Sequence, residues 1–411
     1  MINGDKEKGS AMTGGARALR GVTVLDLSRV LAGPYCSMML GDMGADVIKV
    51  ERPGAGDDTR QWGPPEAGGE AAYYLCVNRN KRSVTVDLKK EEGREIIRSL
   101  ASRSDILIEN YKVGTLPKLG LGYEDLKKIN PGLIYCSITG FGQNGPYKDK
   151  PGYDFMIQGM GGIMSITGDP DGPPMKVGVA IVDITAGLFA CSAILAALYH
   201  RSLTGRGQYI DVALLDAVVA WLANVGSNYL VSGEIPKRYG NAHPNIVPYE
   251  PFKCKDGTYI NLAVGNDRQW QDFCRLAGLD HLAGDPRFAT NPQRVIHRKE
   301  LIPLVAEAMR QRTGDEWLEA LDRLKIPCGP INTLDRVFSD PQVEARQMVA
   351  EVPHPTAGSV KLVASPMKFS DMPCAIDRHP PLLGEHTEEV LRDVLGFSND
   401  KIRTLREKGV I

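Results

Sequence analysis

A single carboxylate, Asp183, interrupts the apolar run Gly178-Val-Ala-Ile-Val-Asp-Ile-Thr-Ala-Gly187. The loop Gly168-Asp-Pro-Asp-Gly-Pro-Pro174 precedes it, and a long apolar stretch follows. An ionised acid in such surroundings needs compensation, because removing its charge from water costs several kcal/mol. A helix N-terminus, with its free backbone N–H groups, is the simplest partner. From local sequence alone Asp183 therefore reads as a helix N-cap. Other reactive groups are dispersed. The eight cysteines form no CxxC pair and sit mostly in apolar runs, as reduced core residues of a reducing compartment do. No Cys/His cluster has zinc spacing, so no metal is expected.

The elements that must position these groups alternate. Strands are expected at Gly21–Leu27, Ala45–Val50, Arg82–Leu88, Asp105–Glu109, Leu133–Ile138 and Gln208–Val212. Between them fall a turn at Ala32-Gly33-Pro34 leading into a helix to about Gly44, then helices at Lys90–Arg103, Tyr123–Asn130 and Asp183–His200. This order predicts an α/β fold with a doubly wound, mostly parallel, Rossmann-like sheet. Ligands of such sheets bind beyond the carboxyl ends of the strands, here Ser28-Arg29, Glu51-Arg52, Asn110-Tyr111 and Thr139–Gly142. The dinucleotide fingerprint GxGxxG is missing from the first turn, which argues against a nicotinamide oxidoreductase.

A chain of 411 residues has room for a second module. The expected divisions are a disordered leader (1–18), a large Rossmann-like domain (19–232), a linker (233–250), a small α+β domain (251–326), a second Pro-rich linker (327–366) and a C-terminal segment (367–411) that returns to the large domain. A second helical stretch is expected over Leu214–Leu230, and Met12 is an alternative initiator. A net charge of −1 offers no basic surface for nucleic acid, so the partner is a small molecule. The leader has neither an apolar core nor transit-peptide composition. The apolar run Ile181–Leu198 contains Asp183 and many small residues, which suits a packed helix better than a membrane span. A soluble, cytoplasmic protein is expected.

Taken in order, many short pieces resemble the motifs of the family III CoA-transferases. They are Leu25-Asp-Leu27, Ala32-Gly-Pro34, Gly44-Ala-Asp-Val-Ile-Lys-Val-Glu-Arg-Pro-Gly54, Gly56-Asp57, Asn80-Lys-Arg-Ser83, Glu109-Asn-Tyr111, Gly152-Tyr-Asp154, Asp183, Thr204-Gly-Arg-Gly-Gln208, Gly329-Pro330 and Pro380-Pro-Leu-Leu-Gly-Glu-His-Thr387. The family includes formyl-CoA:oxalate, carnitine and dicarboxylate CoA-transferases and the related 2-methylacyl-CoA racemases. The resemblance implies that Asp183 is a nucleophile, holding first the acyl group as an anhydride and then CoA as a thioester. It implies coenzyme A and acyl-CoA as substrates, with no prosthetic group. CoA would run along the strand ends, with Arg52 at its adenosine or phosphate end and Val30 and Ala32 lining the slot. Asn110, Tyr111 and Lys118 would follow the nucleotide and pantetheine. Arg79, in Asn78-Arg-Asn-Lys-Arg82, is either a surface turn residue or a bidentate grip for the free carboxylate of a dicarboxylic acyl group. Tyr153 either shapes the acyl pocket or fills the core. Oxyanion donors would come from Gly159-Met-Gly-Gly162 or Val264-Gly265-Asn266, unless these are plain turns. An interlocked homodimer is implied too.

Departures narrow the branch. The racemases carry a His where this chain has Tyr153, so two-sided proton transfer lacks a partner for Asp183. Leu31 and Ala263-Val-Gly-Asn-Asp267 replace the Gln and the glycine run of the formyl-CoA:oxalate enzymes. The resemblance is nearest to the succinyl-CoA-dependent dicarboxylate branch with glutarate, malate or mesaconate-type acceptors. It rests on Val77-Asn-Arg-Asn-Lys81, His243 to Val247-Pro-Tyr249 and Pro327–Ile331. The rivals are an acyl-CoA racemase on the same fold and, if Asp183 is only a cap, a non-catalytic acyl-CoA-binding protein.

Overall fold

The computed structural model describes residues 17–411, so all but the end of the expected leader lies outside the described residues. The chain divides into two compact units. One holds the described residues up to Gly161, then Gly178–Trp221 and Gln342–Ile411; the other holds Gly162–Val177 and Leu222–Pro341.

The first unit is built on six strands: β1 (Thr23–Asp26), β2 (Asp46–Glu51), β3 (Lys81–Thr85), β4 (Ile106–Glu109), β5 (Ile134–Thr139) and β6 (Tyr209–Ala213). Their order is β3-β2-β1-β4-β5-β6, and all five pairings are parallel. In β1, Val24 lies opposite both Val47 and Ile106, so the apolar runs of three strands share one register. The runs are apolar on both faces because helices cover both faces. These include α1 (Ala32–Asp42), α2 (Glu91–Ala101), α3 (Tyr123–Ile129), α4 (Asp154–Met160) and α5 (Ile181–Thr204). The core on one side joins Leu25, Ile48, Val84, Ile97 and Leu107 to Leu391, Ile402 and Leu405 near the C-terminus, in the same unit. Strand order reverses between β1 and β4, leaving a crevice at their carboxyl ends.

Two expectations need correction and one is refined. Ala32-Gly33-Pro34 is not a turn but the first turn of α1, where a proline costs no hydrogen bond. The stretch Leu214–Leu230 is two helices, α6 (Leu214–Ala220) and α7 (Ala223–Ser232), and the unit boundary falls between them. The second Pro-rich stretch is no linker. Cys328–Pro330 (β9) belongs to the sheet of the second unit, while β10 (Val349–His354) and β11 (Gly358–Val363) form a hairpin of the first.

The second unit has an antiparallel sheet in the order β9, β8 (Tyr259–Ala263), β7 (Tyr249–Lys253). Alternation buries Ile260 and Leu262 against Trp270 and Phe273 of α8 (Asp267–Ala277) and Trp317. Helix α5 is long and apolar enough to cross a membrane, with a mean hydropathy of 2.1 over its most apolar window. Here Ala186, Ala190, Ile194 and Ala197 give it one buried face, while Leu188, Phe189, Tyr199 and Leu203 stay exposed.

Candidate active site

The crevice is set by a buried network of charges. Asp26, at the end of β1, accepts from Ser28 N at 2.9 Å, from Ser37 Oγ at 2.5 Å and from Lys81 Nζ at 3.2 Å. Lys49 Nζ donates to the Ser28 carbonyl at 3.0 Å and to Asp57 Oδ2 at 2.8 Å. Burial works to raise the Asp57 carboxyl, but Lys49 and the Thr59 N–H outweigh it and hold it at about 2. Asp57 also accepts from the Val30 N–H at 3.2 Å, and Val30 takes the left-handed conformation with φ +69°. From β4, Asn110 closes the other side: Oδ1 accepts from Arg29 N at 2.9 Å, and Nδ2 donates to Arg29 O at 2.7 Å. The loop from Ser28 to Ala32 is thereby fixed from both flanks of the switch point.

A cavity of about 170 Å³ opens there, and Val30, Ala32, Asn110, Tyr111, Tyr153 and Asp183 all line it. A second, of about 290 Å³, is lined by Arg52 together with Lys49, Leu88 and Lys89. Arg29 and Tyr111 line both, and the Arg29 guanidinium lies 5.7 Å from the Tyr111 ring centre. Seven of the nine expected site residues thus fall on one pair of adjoining cavities.

Two do not. Lys118 is exposed at the end of the short helix Thr115–Lys118 and lines neither cavity, whereas Thr115 and Leu119 line the second. Arg79 is buried, neither a surface residue nor a substrate clamp. Its Nε and Nη2 grip Asp42 at 2.8 and 2.6 Å, and its Nη1 donates to the Val363 carbonyl at 2.9 Å. The expected oxyanion segments also have other tasks. The Gly161 N–H donates to the Ile157 carbonyl, the Gly265 N–H donates to Gln269 Oε1, and Asn266 caps α8.

Asp183 is not the N-cap of α5. That position is Ala180, whose side chain cannot cap, and Asp183 lies in the first turn. The cap comes from α4, where Asp154 Oδ1 accepts from Val182 N at 2.8 Å and from Asp183 N at 3.4 Å. The Asp183 carboxylate, half-buried, has no hydrogen-bond or ion-pair partner among the described residues. Burial, with the Asp154 charge adding to it, pushes its carboxyl up to about 7. The same surroundings push the Tyr73 phenol up to about 12, by burial first and then by the Asp183 charge. Two close backbone approaches place these groups. A Cβ on Gly152 would meet the Gly140 Cα at 2.4 Å, and one on Gly187 would meet the Ala32 carbonyl at 2.7 Å. Only glycine lets the segment bearing Tyr153 and Asp154 lie against the end of β5, and α5 lie against α1.

Sequence reasoning gave no role to Asp154, Tyr73, Lys148 and Lys150, of which the last two line the first cavity, and it placed Arg29, which also lines it, only at a strand end. The signal for Asp154 was present: an acid opening the apolar run Phe155–Ile157, in the first turn of a helix. An unpaired carboxylate of raised basicity, facing a cavity ringed by cations, can attack an electrophilic carbonyl and hold the acyl group. Among the described residues no histidine lines this cavity.

Such a fold and site define an enzyme of acyl-group transfer, and the family is CoA-specific: the chain belongs to CoA-transferase family III, whose model matches residues 19–387. Its substrates are CoA thioesters, as for every CoA-transferase. The chain is 45% identical over 395 residues to the succinyl-CoA:glutarate CoA-transferase of Homo sapiens, covering 96% of this chain and 90% of that one. It is 49% identical over 382 residues to the succinate–glutarate CoA-transferase of Agrobacterium fabrum, covering 92% and 95%. Among solved structures, a CAIB/BAIF family protein from Brucella suis matches with a TM-score of 0.81 at 50% identity, covering 92% of this chain and 99% of that one.

Proposed function

We propose that this CoA-transferase moves CoA from succinyl-CoA to a dicarboxylic acid of the glutarate type, with Asp183 as the covalent carrier. The observation that carries the reading is the free, half-buried Asp183 carboxylate facing the cavity at the switch point. The relatives' names supply the substrate class. Asp183 attacks the thioester carbonyl, the C–S bond breaks, and CoA leaves as thiolate from a mixed anhydride. The thiolate then attacks the aspartyl carbonyl of the anhydride, releasing succinate and leaving an aspartyl-CoA thioester. The acceptor carboxylate attacks that thioester to form a second anhydride and free the thiolate again. Attack of the thiolate on the acceptor's carbonyl gives the new acyl-CoA and returns Asp183 to its carboxylate. Every step exchanges one acyl bond for another, so no nucleotide hydrolysis is required.

CoA lies across the two cavities, with Arg52 at the nucleotide end and Val30, Ala32, Asn110 and Tyr111 along the slot. Tyr153, two-thirds exposed at the cavity wall, borders the acyl group. A homodimer, interlocked in the manner the resemblance implies, agrees with the exposed Leu188, Phe189, Tyr199 and Leu203 of α5. A monomer in sedimentation equilibrium would remove that part.

The test is chemical. Incubation with succinyl-CoA followed by hydroxylamine should mark Asp183 in the mass spectrum, and Asp183→Ala should lose the mark and at least about 10³-fold of transfer activity. Transfer that survives in Asp183→Ala would end the proposal. With the carboxyl at about 7, kcat/KM should rise through neutral pH as Asp183 ionises.

A further inference from the structure

We propose that Asp154 is a positioning residue for the nucleophile: it caps the first turn of α5 from outside, so that the Asp183 carboxylate is left free for the reaction. This rests on Asp183 being the nucleophile. An acid in the first turn of a helix is drawn to the free N–H groups and the positive end of its own helix. Here those N–H groups are already engaged, because Asp154 Oδ1 accepts from Val182 N at 2.8 Å and, more weakly, from Asp183 N at 3.4 Å. The second oxygen is fixed in turn, since Gln158 Nε2, one turn along α4 and buried, donates to Asp154 Oδ2 at 2.7 Å. The backbone before Asp154 has no slack, because Gly152 and Gly140 stand too close for a Cβ on either. The cap is therefore rigid, and it hands α5 a negative group that does not take part in bond making.

The arrangement has a chemical consequence. Placing a second carboxylate beside Asp183 disfavours its ionised form, adding to the effect of burial. A more basic carboxylate is the stronger nucleophile toward a thioester carbonyl. The other titratable groups are Tyr73, from the short helix Ala72–Leu75, and Arg29, Asp58, Tyr111, Lys112, Lys148, Asp149, Lys150 and Tyr153 around the cavity. Of these, the cations act in the opposite sense to Asp154. Had the cap been a serine or threonine at position 180, the first turn would be satisfied equally well without the like charge.

Asp154→Asn separates charge from capping, because its amide oxygen can still accept from Val182 N once the Gln158 amide turns over to accept from the new Nδ2. The variant should fold with an unchanged circular dichroism spectrum and still form the acyl adduct on Asp183. The acid limb of its kcat/KM profile should move to lower pH by about one unit. Asp154→Ala, which loses the acceptor too, should slow adduct formation by about 100-fold, the scale of a misplaced reacting group. A folded Asp154→Ala that forms the Asp183 adduct at the wild-type rate would overturn the capping role, and a folded Asp154→Asn whose acid limb coincides with that of the wild type would overturn the effect of its charge on the nucleophile. Absence of any Asp183 adduct in the wild type is a different failure: it removes the nucleophile reading itself.

Discussion

Arg79 commits its guanidinium to Asp42 through two near-parallel hydrogen bonds, and both side chains are almost fully buried. Such a pair contributes little net stability against an apolar substitute, but removing one member strands the other charge in the interior. Arg79→Ala should therefore cost on the order of 3–5 kcal/mol in urea unfolding, with KM for the dicarboxylate unchanged in the folded fraction. A raised KM at unaltered stability would return Arg79 to substrate binding. The same logic covers Asp26, Lys49, Asp57 and Lys81, which stood out in sequence as motif residues without a task. Their side chains are fully buried and they hold the Ser28–Ala32 loop, and Lys49 and Asp57 also line the second cavity. A sequence shows that a charge stands in an apolar setting; it does not show whether the partner is a ligand or another side chain. Asp183 stood out because nothing within its own segment could pair it, yet its local reading as an N-cap fails, since Ala180 holds that position. Arg79 was misread because its partner lies 37 residues away, on α1.

The six core strands were legible because each is a short apolar run bounded by Gly, Pro or charged residues, and each fell within a few residues of its expected place. Elements containing proline were not. Pro330 in β9 and Pro353 in β10 each sit in an edge or two-stranded position, where a missing N–H is tolerated, so a strand reads as a linker. Pro34 misled in the opposite direction, as a turn signal inside the first turn of α1. Positions governed by close backbone approach were invisible, since a glycine in a loop looks alike whether or not another chain segment touches it. Gly152→Ala tests one. Its new Cβ meets backbone at 2.4 Å, so the segment carrying Tyr153 and Asp154 has to move away from Gly140. The expected cost is about 1–3 kcal/mol of stability, together with a loss of about 100-fold in kcat if the cap on α5 shifts with it. Equal kcat in the two proteins would show that the site does not depend on this contact.

On the scale of the molecule, burial has made two acids weak, Glu109 and Asp183, and this couples their ionisation to folding. Glu109, the last residue of β4, accepts from Ser137 Oγ and from the Tyr111 N–H at 2.8 Å. Burial, assisted by Asp211, nevertheless pushes its carboxyl up to about 7. In the unfolded chain a glutamate titrates near 4.3, so between about pH 4.3 and 7 the folded protein holds a proton that the unfolded chain has released. The stabilisation linked to that proton is complete below about pH 4.3 and is lost as pH rises through about 7. Its full size is on the order of 3 kcal/mol. Asp183 adds a slope of the same sign. Glu109→Gln keeps an acceptor for Tyr111 and a donor for Ser137 but cannot ionise, so only the Asp183 part should remain. Unfolding free energies of the wild type and the variant, measured from pH 4.5 to 7.5, should therefore converge or cross as the wild type weakens by on the order of 3 kcal/mol more. Parallel curves would mean that Glu109 is already ionised at pH 4.5, held by Ser137 and the Tyr111 N–H. The backbone beside both cavities would then be pinned by a charge and not by a neutral acid.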